Sequence, residues 1–131
     1  MKDMLPEASK KDQSPADEAM AAEIGKLLTD HRGESVIVMD MRRLDFWTDF
    51  FVIATVTSGV HLSGLDRQIK EFVRDRDYDV FRRSRKPDIQ DEWSIIDLGN
   101  IVIHLMTSRA RSFYELERLW PAPVIYSSKS S

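Results

Sequence analysis

The stretch WSIIDLGNIVIHLM, residues 93–106, carries the clearest fold signal in the chain. It contains two apolar runs, Trp93 to Leu98 and Ile101 to Met106. Gly99 and Asn100 lie between the runs, and both residue types tolerate the positive φ that a tight turn requires. The stretch therefore predicts a β-hairpin, with the side chains of each strand alternating between the two faces of a sheet.

Two further strands and a helix are predicted upstream of this hairpin. The β-branched run Val36 to Met39 and the apolar run Phe50 to Val56 favour central strands that are covered on both faces. Thr57 or Ser58 can then cap a helix. The apolar residues of this helix follow helical offsets and predict burial on one side: Leu62, Leu65, Ile69, Phe72 and Val73.

The start of the chain is predicted to be a disordered tail that leads into a helix. Residues 1–14 mix charged and small polar residues without a sustained apolar period. Ser14 is expected to cap the first helix, with Pro15 in its first turn and Asp17 completing a capping box. Gly33 is expected to end this helix.

The second half of the chain completes the predicted fold. Val80–Phe81 is expected to form a short edge strand, and a last helix is expected to begin at Ser108 and end before Pro121. Residues 122–131 are expected to be a disordered tail. The element order predicts a single α/β domain over residues 15–121, with a mixed five-stranded sheet flanked by helices.

Composition narrows the class of protein further. The 131 residues include 19 Lys and Arg against 22 Asp and Glu, a net charge of −3, and no cysteine. A slightly acidic chain argues against a general nucleic-acid binder, and the absence of cysteine excludes disulfides and thiolate metal sites. The run Phe50 to Val56 is too short to span a bilayer. We therefore expect a cytoplasmic protein.

An enzyme would need a phosphate loop, a metal site or a nucleophile. The five glycines form neither a dinucleotide fingerprint nor a phosphate-binding loop. Asp40 and Asp49 lie at the end of one predicted strand and just before the next, where two carboxylates could hold a divalent ion. A nucleotidyltransferase-like enzyme using this pair is therefore retained as an alternative.

Serine and histidine residues provide a weaker catalytic hypothesis. A triad would use Ser58 or Ser63 with His61 or His104, but no strained nucleophile elbow surrounds Ser58, which is better explained as a helix cap. His104 lies in an apolar strand. Burial would favour its neutral form, whereas nearby Asp97 would favour the charged form, and the sequence leaves both open.

Aromatic and basic residues suggest binding surfaces. Trp93, Tyr114 and Trp120 either pack in the core or anchor an interface, since Trp, Tyr and Arg dominate interface hot spots. The basic segment Arg82 to Lys86 is either a solvated edge or a contact for RNA phosphates. An RNA-binding module is thus a further alternative.

The C-terminal half resembles the ribosomal silencing factors, the Iojap family. The resemblance rests on WSIIDLGNIVIH at residues 93–104 and RSFYELERLW at residues 111–120. Upstream, TDFFVIAT at residues 48–55 and Thr57-Ser58 with His61 are similar to the same family. Lys86-Pro87 replaces the usual Glu-Gly pair. The resemblance runs from about Asp17 to Trp120.

This resemblance implies a binding module and not an enzyme. It implies a fold related to nucleotidyltransferases without their catalytic motif, and no cofactor or metal. Such a factor is expected to dock on the fourteenth protein of the large ribosomal subunit, block joining of the small subunit and lower translation when nutrients are short. We expect a monomer or weak homodimer, with peripheral ribosomal RNA contacts.

The motif also assigns expected roles to individual residues. One group is expected to bind the partner: Trp93, Asp97, Leu98, Arg111, Tyr114 and Glu117. A second group is expected to be structural or to shape the surface: His104, Trp120 and Ser58. Within the first group, Trp93, Leu98 and Tyr114 are the expected apolar anchors, and the two carboxylates are expected to face basic groups.

Overall fold

A five-stranded mixed sheet forms the centre of the protein in the computed structural model, which describes residues 4–81 and 91–128. The strands are β1 Glu34–Asp40, β2 Phe50–Val56, β3 Trp93–Asp97, β4 Ile101–Thr107 and β5 Val124–Ser127. They lie in the order β3-β4-β2-β1-β5. The central pair β2 and β4 is parallel, and the other neighbours are antiparallel. The predicted α/β class with a mixed five-stranded sheet is confirmed.

Two long helices cover one face of the sheet. They are α1 Met4–Asp30 and α2 Gly59–Arg74. Ser58 caps α2, because its Oγ accepts a hydrogen bond from the His61 backbone N–H at 3.0 Å. The two helices and the sheet share a core of fully buried apolar side chains, among them Ile24, Leu28, Leu62, Ile69, Phe50 and Ile103. None of the helices of the described segments is both long enough and apolar enough to cross a membrane.

The opposite face of the sheet has a thinner cover. It consists of the short helix α3 Ser108–Tyr114 and the 3₁₀ turns Arg42–Leu44 and Leu116–Arg118. The apolar cluster on this face includes Phe51, Ile53, Val102 and Met106 from the strands. The alternation of side chains along β2 and β4 thus supplies two cores, a larger one under the long helices and a smaller one on the other face.

The predicted hairpin is formed by β3 and β4. Gly99 has φ of 91°, a backbone conformation that favours glycine. The Gly99 N–H donates to Asp97 Oδ1 at 2.8 Å, and the Leu98 N–H donates to the Ile101 carbonyl at 2.8 Å. Residue pairing runs from Trp93 opposite Met106 to Asp97 opposite Val102. The turn chemistry therefore sets the register of the hairpin.

The first helix begins earlier than predicted. It starts at Met4 and contains Pro15, so Ser14 is not its N-cap and a disordered tail over residues 1–14 is wrong from residue 4 onward. Residues 4–13 are rich in Leu, Ala, Glu, Lys and Gln, which favour helix and allow it to extend. Asp17 therefore lies inside the helix, where it is completely buried.

The fifth strand is not the one expected. Among the described residues, Val80–Phe81 forms no strand, although the Phe81 N–H donates to the Asp97 carbonyl at 2.9 Å. Residues 124–127 form β5 instead, so the expected disordered tail over 122–131 is wrong there. The Tyr126 hydroxyl lies 2.9 Å from Thr29 Oγ1 on α1, and this long-range contact ties the strand to the core. The sheet therefore extends past the expected domain end at residue 121.

The last helix is shorter than predicted. α3 ends at Tyr114 because Glu115 adopts a left-handed conformation with φ of 47°. The chain then forms a 3₁₀ turn in which Leu116 is buried. The basic segment Arg82–Lys86 and Pro87 lie outside the described residues.

Candidate partner-binding surface

A row of contacting rings lies on the thinly covered face of the sheet. We call Phe51, His104, Trp93, Tyr114 and Phe113 the aromatic surface. Ring centroids are 4.8 Å apart for Phe51 and His104, 5.9 Å for His104 and Trp93, and 4.7 Å for Trp93 and Tyr114. Tyr114 and Phe113 follow at 4.8 Å. Phe113 is 78% exposed and Tyr114 is 48% exposed, so this row ends in open apolar area.

The ends of two elements place these rings. Trp93 is the first residue of β3, and Tyr114 is the last residue of α3. Thr107 fixes the start of α3, since its Oγ1 accepts from the Ala110 N–H at 3.2 Å. Because Glu115 turns the chain away immediately after Tyr114, the rings of the last turn of α3 remain at the surface.

A groove of about 430 Å³ runs beside the exposed rings. It is lined by Asp91, Glu92, Trp93, Arg109, Ala110, Phe113 and Tyr114. Glu92 is held in place, because its Oε1 accepts from Thr107 Oγ1 at 3.0 Å and lies 3.6 Å from Arg109 Nε. The combination of apolar rings and acidic side chains suits a protein partner that offers apolar and basic groups.

His104 lies behind Trp93 and is 6% exposed. Its Nδ1 accepts a hydrogen bond from Trp93 Nε1 at 3.1 Å. Burial lowers the pKa of His104 to about 4, so the imidazole is neutral at physiological pH. His104 is thus hydrogen-bonded across the hairpin to Trp93, and burial favours its neutral form over the charged form that Asp97 would favour.

Two residues expected to meet the partner are turned into the protein. Asp97 is 1% exposed, and its Oδ1 accepts from the Gly99 N–H in the hairpin turn. Leu98 is 8% exposed and belongs to the core under the long helices. The tight turn at Gly99 directs both side chains inward. Both side chains are therefore buried in the free protein, and their contact with a partner, as carboxylate and as apolar anchor, stays a prediction.

Arg111 is also internal. Its Nη1 donates to the Ser35 carbonyl and to Thr55 Oγ1, and its Nε lies 3.4 Å from Glu117 Oε2. Ser35 has φ of 46° in a bulge of β1, which presents its carbonyl to the guanidinium. Burial lowers the pKa of Arg111. This side chain joins β1, β2 and α3 and so has a structural role, while its contact with a partner stays a prediction.

Glu117 and Trp120 occupy the border of this region. The Glu117 side chain is 31% exposed and pairs with Arg111. The Trp120 ring lies 5.0 Å from Phe46 and 5.4 Å from Phe51, in the smaller core. Glu117 thus takes part in the internal ion pair with Arg111. Trp120 contacts the aromatic surface through the ring of Phe51.

Sequence reasoning missed several exposed apolar residues on this face. Trp47 is 59% exposed, and its ring centroid lies 5.6 Å from that of Phe46. Ile95 is 44% exposed. The alternation of β3 gives the signal for Ile95, because it shares a face with Trp93. Nothing comparable in the sequence marks Trp47.

The carboxylate pair of the enzyme alternative is not arranged as a metal site. Both oxygens of Asp40 accept hydrogen bonds from Arg42, at 2.9 and 2.7 Å, and this contact lowers the pKa of Asp40. Asp49 contacts its neighbours through its backbone, where its N–H donates to the Asn100 carbonyl at 3.1 Å. Residues 4–81 and 91–128 hold no group of three or more His, Cys, Asp or Glu side chains suited to a metal.

The serine and histidine hypothesis is likewise unsupported by geometry. Ser58 Oγ is used by the cap of α2. His61 accepts from the Thr57 N–H through Nδ1 at 3.0 Å, and its Nε2 lies 2.9 Å from the His31 carbonyl. The imidazole therefore links the start of α2 to the end of α1, and neither side chain is aligned with the other for proton transfer.

Comparison with known proteins shows which proteins this chain is similar to in sequence and in fold. The chain is 35% identical over 100 residues to the ribosomal silencing factor of Treponema pallidum, covering 76% of this chain and 88% of that protein. It is 31% identical over 93 residues to the ribosomal silencing factor of Bacillus subtilis, covering 70% and 75%. A crystal structure of a Bacillus halodurans protein matches with TM-score 0.65 and 25% identity, over 82% of this chain and 97% of that one.

The TM-score shows that this chain shares its overall fold with the Bacillus halodurans protein, and the two curated relatives are both ribosomal silencing factors. The model of the family described as "Ribosomal silencing factor during starvation" matches residues 12–130. The chain therefore belongs to the ribosomal silencing factor family, as its motifs indicated. Membership places it among proteins of translation regulation.

Proposed function

We propose that this chain binds the large ribosomal subunit through its aromatic surface and thereby blocks joining of the small subunit. Its expected contact is the fourteenth protein of the large subunit, on the face that meets the small subunit. Occupying that face lowers translation when nutrients are limited. The main supporting observation is a set of ring contacts. Phe113 and Tyr114 are exposed and contact each other, and the ring of Tyr114 also contacts the ring of Trp93.

The chemistry of this surface suits recognition of a basic ribosomal protein. Trp and Tyr supply large contact area at low entropic cost and are enriched in interface hot spots. The adjoining groove is lined by the carboxylates of Asp91 and Glu92 and by one guanidinium, that of Arg109, so acidic groups outnumber basic ones there. A factor that acts by occlusion needs only this shape and charge, with no catalytic group.

A mechanism in which the bound protein blocks the small subunit also fits the position of the aromatic surface. Its outer rings, Trp93, Phe113 and Tyr114, come from β3 and α3 and lie on the face of the sheet opposite the long helices. A partner can approach this face while α1 and α2 stay in place. Since the target is the ribosome, we place the protein in the cytoplasm, as a monomer or as a weak homodimer through the same apolar rings.

Sedimentation with purified ribosomal subunits tests the proposal. We expect the protein to travel with large subunits and not with small ones, and to reduce the joined fraction when small subunits are added. Trp93→Ala should weaken binding by about 2 kcal/mol, roughly 30-fold. Val60→Ala is the matched control, because Val60 is 70% exposed on α2 and should bind normally.

Two results would contradict this function. One is equal or absent binding to both subunits by the folded wild-type protein. The other is normal binding of a folded Trp93→Ala variant, which would remove the aromatic surface from the interface. Steep loss of binding with rising salt would instead favour phosphate contacts to RNA as the main source of affinity.

A further inference from the structure

We propose that His104 is a positioning residue that fixes the indole of Trp93 in its binding orientation. The proposal rests on the function proposed above for the aromatic surface. His104 itself is buried, so it acts on a partner only through Trp93. The contact that carries the inference is the 3.1 Å hydrogen bond from Trp93 Nε1 to His104 Nδ1.

The direction of this hydrogen bond fixes the tautomer of His104. An indole N–H can only donate, so Nδ1 of the imidazole must accept and the proton must lie on Nε2. Nε2 is buried and has no hydrogen-bond partner within the described segments. A buried N–H without an acceptor disfavours the folded state. A histidine at this position is therefore less favourable for folding than an apolar side chain would be. Unlike an apolar side chain, however, it accepts a hydrogen bond from Trp93.

The imidazole is itself held rigidly. His104 lies in the middle of β4, opposite Ile53 on β2 and Ile95 on β3. The Phe51 ring packs against it edge to face at 4.8 Å. Because both neighbouring strands and this ring restrict the imidazole, its Nδ1 is a fixed acceptor.

Trp93 is thus held from two sides. His104 fixes the polar end of the indole, and the Tyr114 ring packs against it at 4.7 Å. An indole that is ordered before binding loses less conformational entropy when the partner arrives. Without His104, the indole would rotate about its side-chain torsions in the free protein and would have to be ordered on binding.

Two variants separate positioning from packing. His104→Leu removes the acceptor and keeps an apolar side chain. His104→Asn removes the ring and keeps an acceptor oxygen close to the place of Nδ1. We expect affinity for the large subunit to fall up to tenfold in His104→Leu and to recover largely in His104→Asn, since ordering one large side chain costs about this factor.

The orientation of the indole can be read in the free protein. The chain has three tryptophans, and the NMR signal of the Trp93 indole N–H is assigned by its loss in Trp93→Phe. We expect His104→Leu to move this signal towards that of an unbonded indole and to broaden it, and His104→Asn to leave it downfield. Urea unfolding of both variants serves as the stability control.

The outcomes distinguish this inference from the proposed function. If wild-type protein fails to bind large subunits, the function fails, whatever the indole signal shows. If wild-type protein binds and His104→Leu binds equally well with a shifted indole signal, the positioning role is wrong. An unchanged indole signal in His104→Leu would also overturn it. Recovery of both readouts in His104→Asn supports it.

Discussion

Three buried polar side chains join different elements of the protein. Asp17 accepts from the Tyr78 hydroxyl at 2.7 Å and from Asn100 Nδ2 at 2.9 Å. Arg111 joins β1, β2 and α3 through Ser35, Thr55 and Glu117, and His104 holds Trp93. Each of them pairs with groups on other elements, so its removal leaves those groups without this partner.

Arg111→Met tests the structural role of the guanidinium. Loss of Arg111 leaves the Ser35 carbonyl and the Glu117 carboxylate without a partner, and breaking a buried pair costs about 3 kcal/mol. We expect urea unfolding to show a loss of this size. Arg118→Met is the control, because the Arg118 side chain is 77% exposed. If the two variants were equally stable, the structural role of Arg111 would be contradicted.

His104 should also make stability depend on pH. Its pKa is about 4 in the folded protein against 6.5 for the free side chain, so between these values the unfolded chain binds a proton that the folded protein does not. The free energy of unfolding should therefore fall as pH drops below 6.5, by about 2 kcal/mol at pH 5. His104→Leu should lose this part of the pH dependence. Parallel pH profiles for wild type and variant would contradict the buried neutral imidazole.

Elements that depend on residues close together in the sequence were predicted correctly. The strand that depends on contacts between distant residues was not. The β3–β4 hairpin and α2 follow from turn residues and helical spacing, which act within a few residues. β5 depends on Tyr126 reaching Thr29, far away in the chain. The site divides in the same way: the motif indicated Trp93 and Tyr114, but it could not show that Arg111 is buried, since burial is decided by the assembled sheet.

Gly99→Ala tests the turn that joins β3 and β4. Gly99 has φ of 91°, and an added Cβ would lie 3.3 Å from Phe81 Cζ. We expect a loss of about 1 kcal/mol or more in unfolding free energy. Gly64→Ala is the matched control, because an added Cβ within α2 meets nothing within 4 Å and alanine favours helix by about 1 kcal/mol. Destabilisation by Gly64→Ala and not by Gly99→Ala would contradict this description.

At the scale of the whole molecule, the two faces of the sheet differ in what covers them. α1 and α2 bury one face under a continuous apolar core. The other face carries short elements and the aromatic surface, with Phe113 and Tyr114 exposed. The molecule thus combines a well-covered side that stabilises the fold with an open side that is available to a partner.

Hydrogen exchange on the ribosome tests this division. Binding of the large subunit should increase amide protection in β3 and α3, which carry Trp93, Phe113 and Tyr114, and leave α2 nearly unchanged. The comparison uses free and subunit-bound protein under the same buffer and salt. New protection confined to α2 would assign the interface to the opposite face.

The parallel pairing at the centre of the sheet also affects the order in which the chain folds. Phe50 on β2 pairs with Ile101 on β4, and both α2 and β3 lie between these two strands in the sequence, so the pairing is non-local. The hairpin itself needs only neighbouring residues. Non-local parallel pairs form slowly. A hairpin that carries Trp93 would therefore form early, and closure of β2 against β4 would set the folding rate.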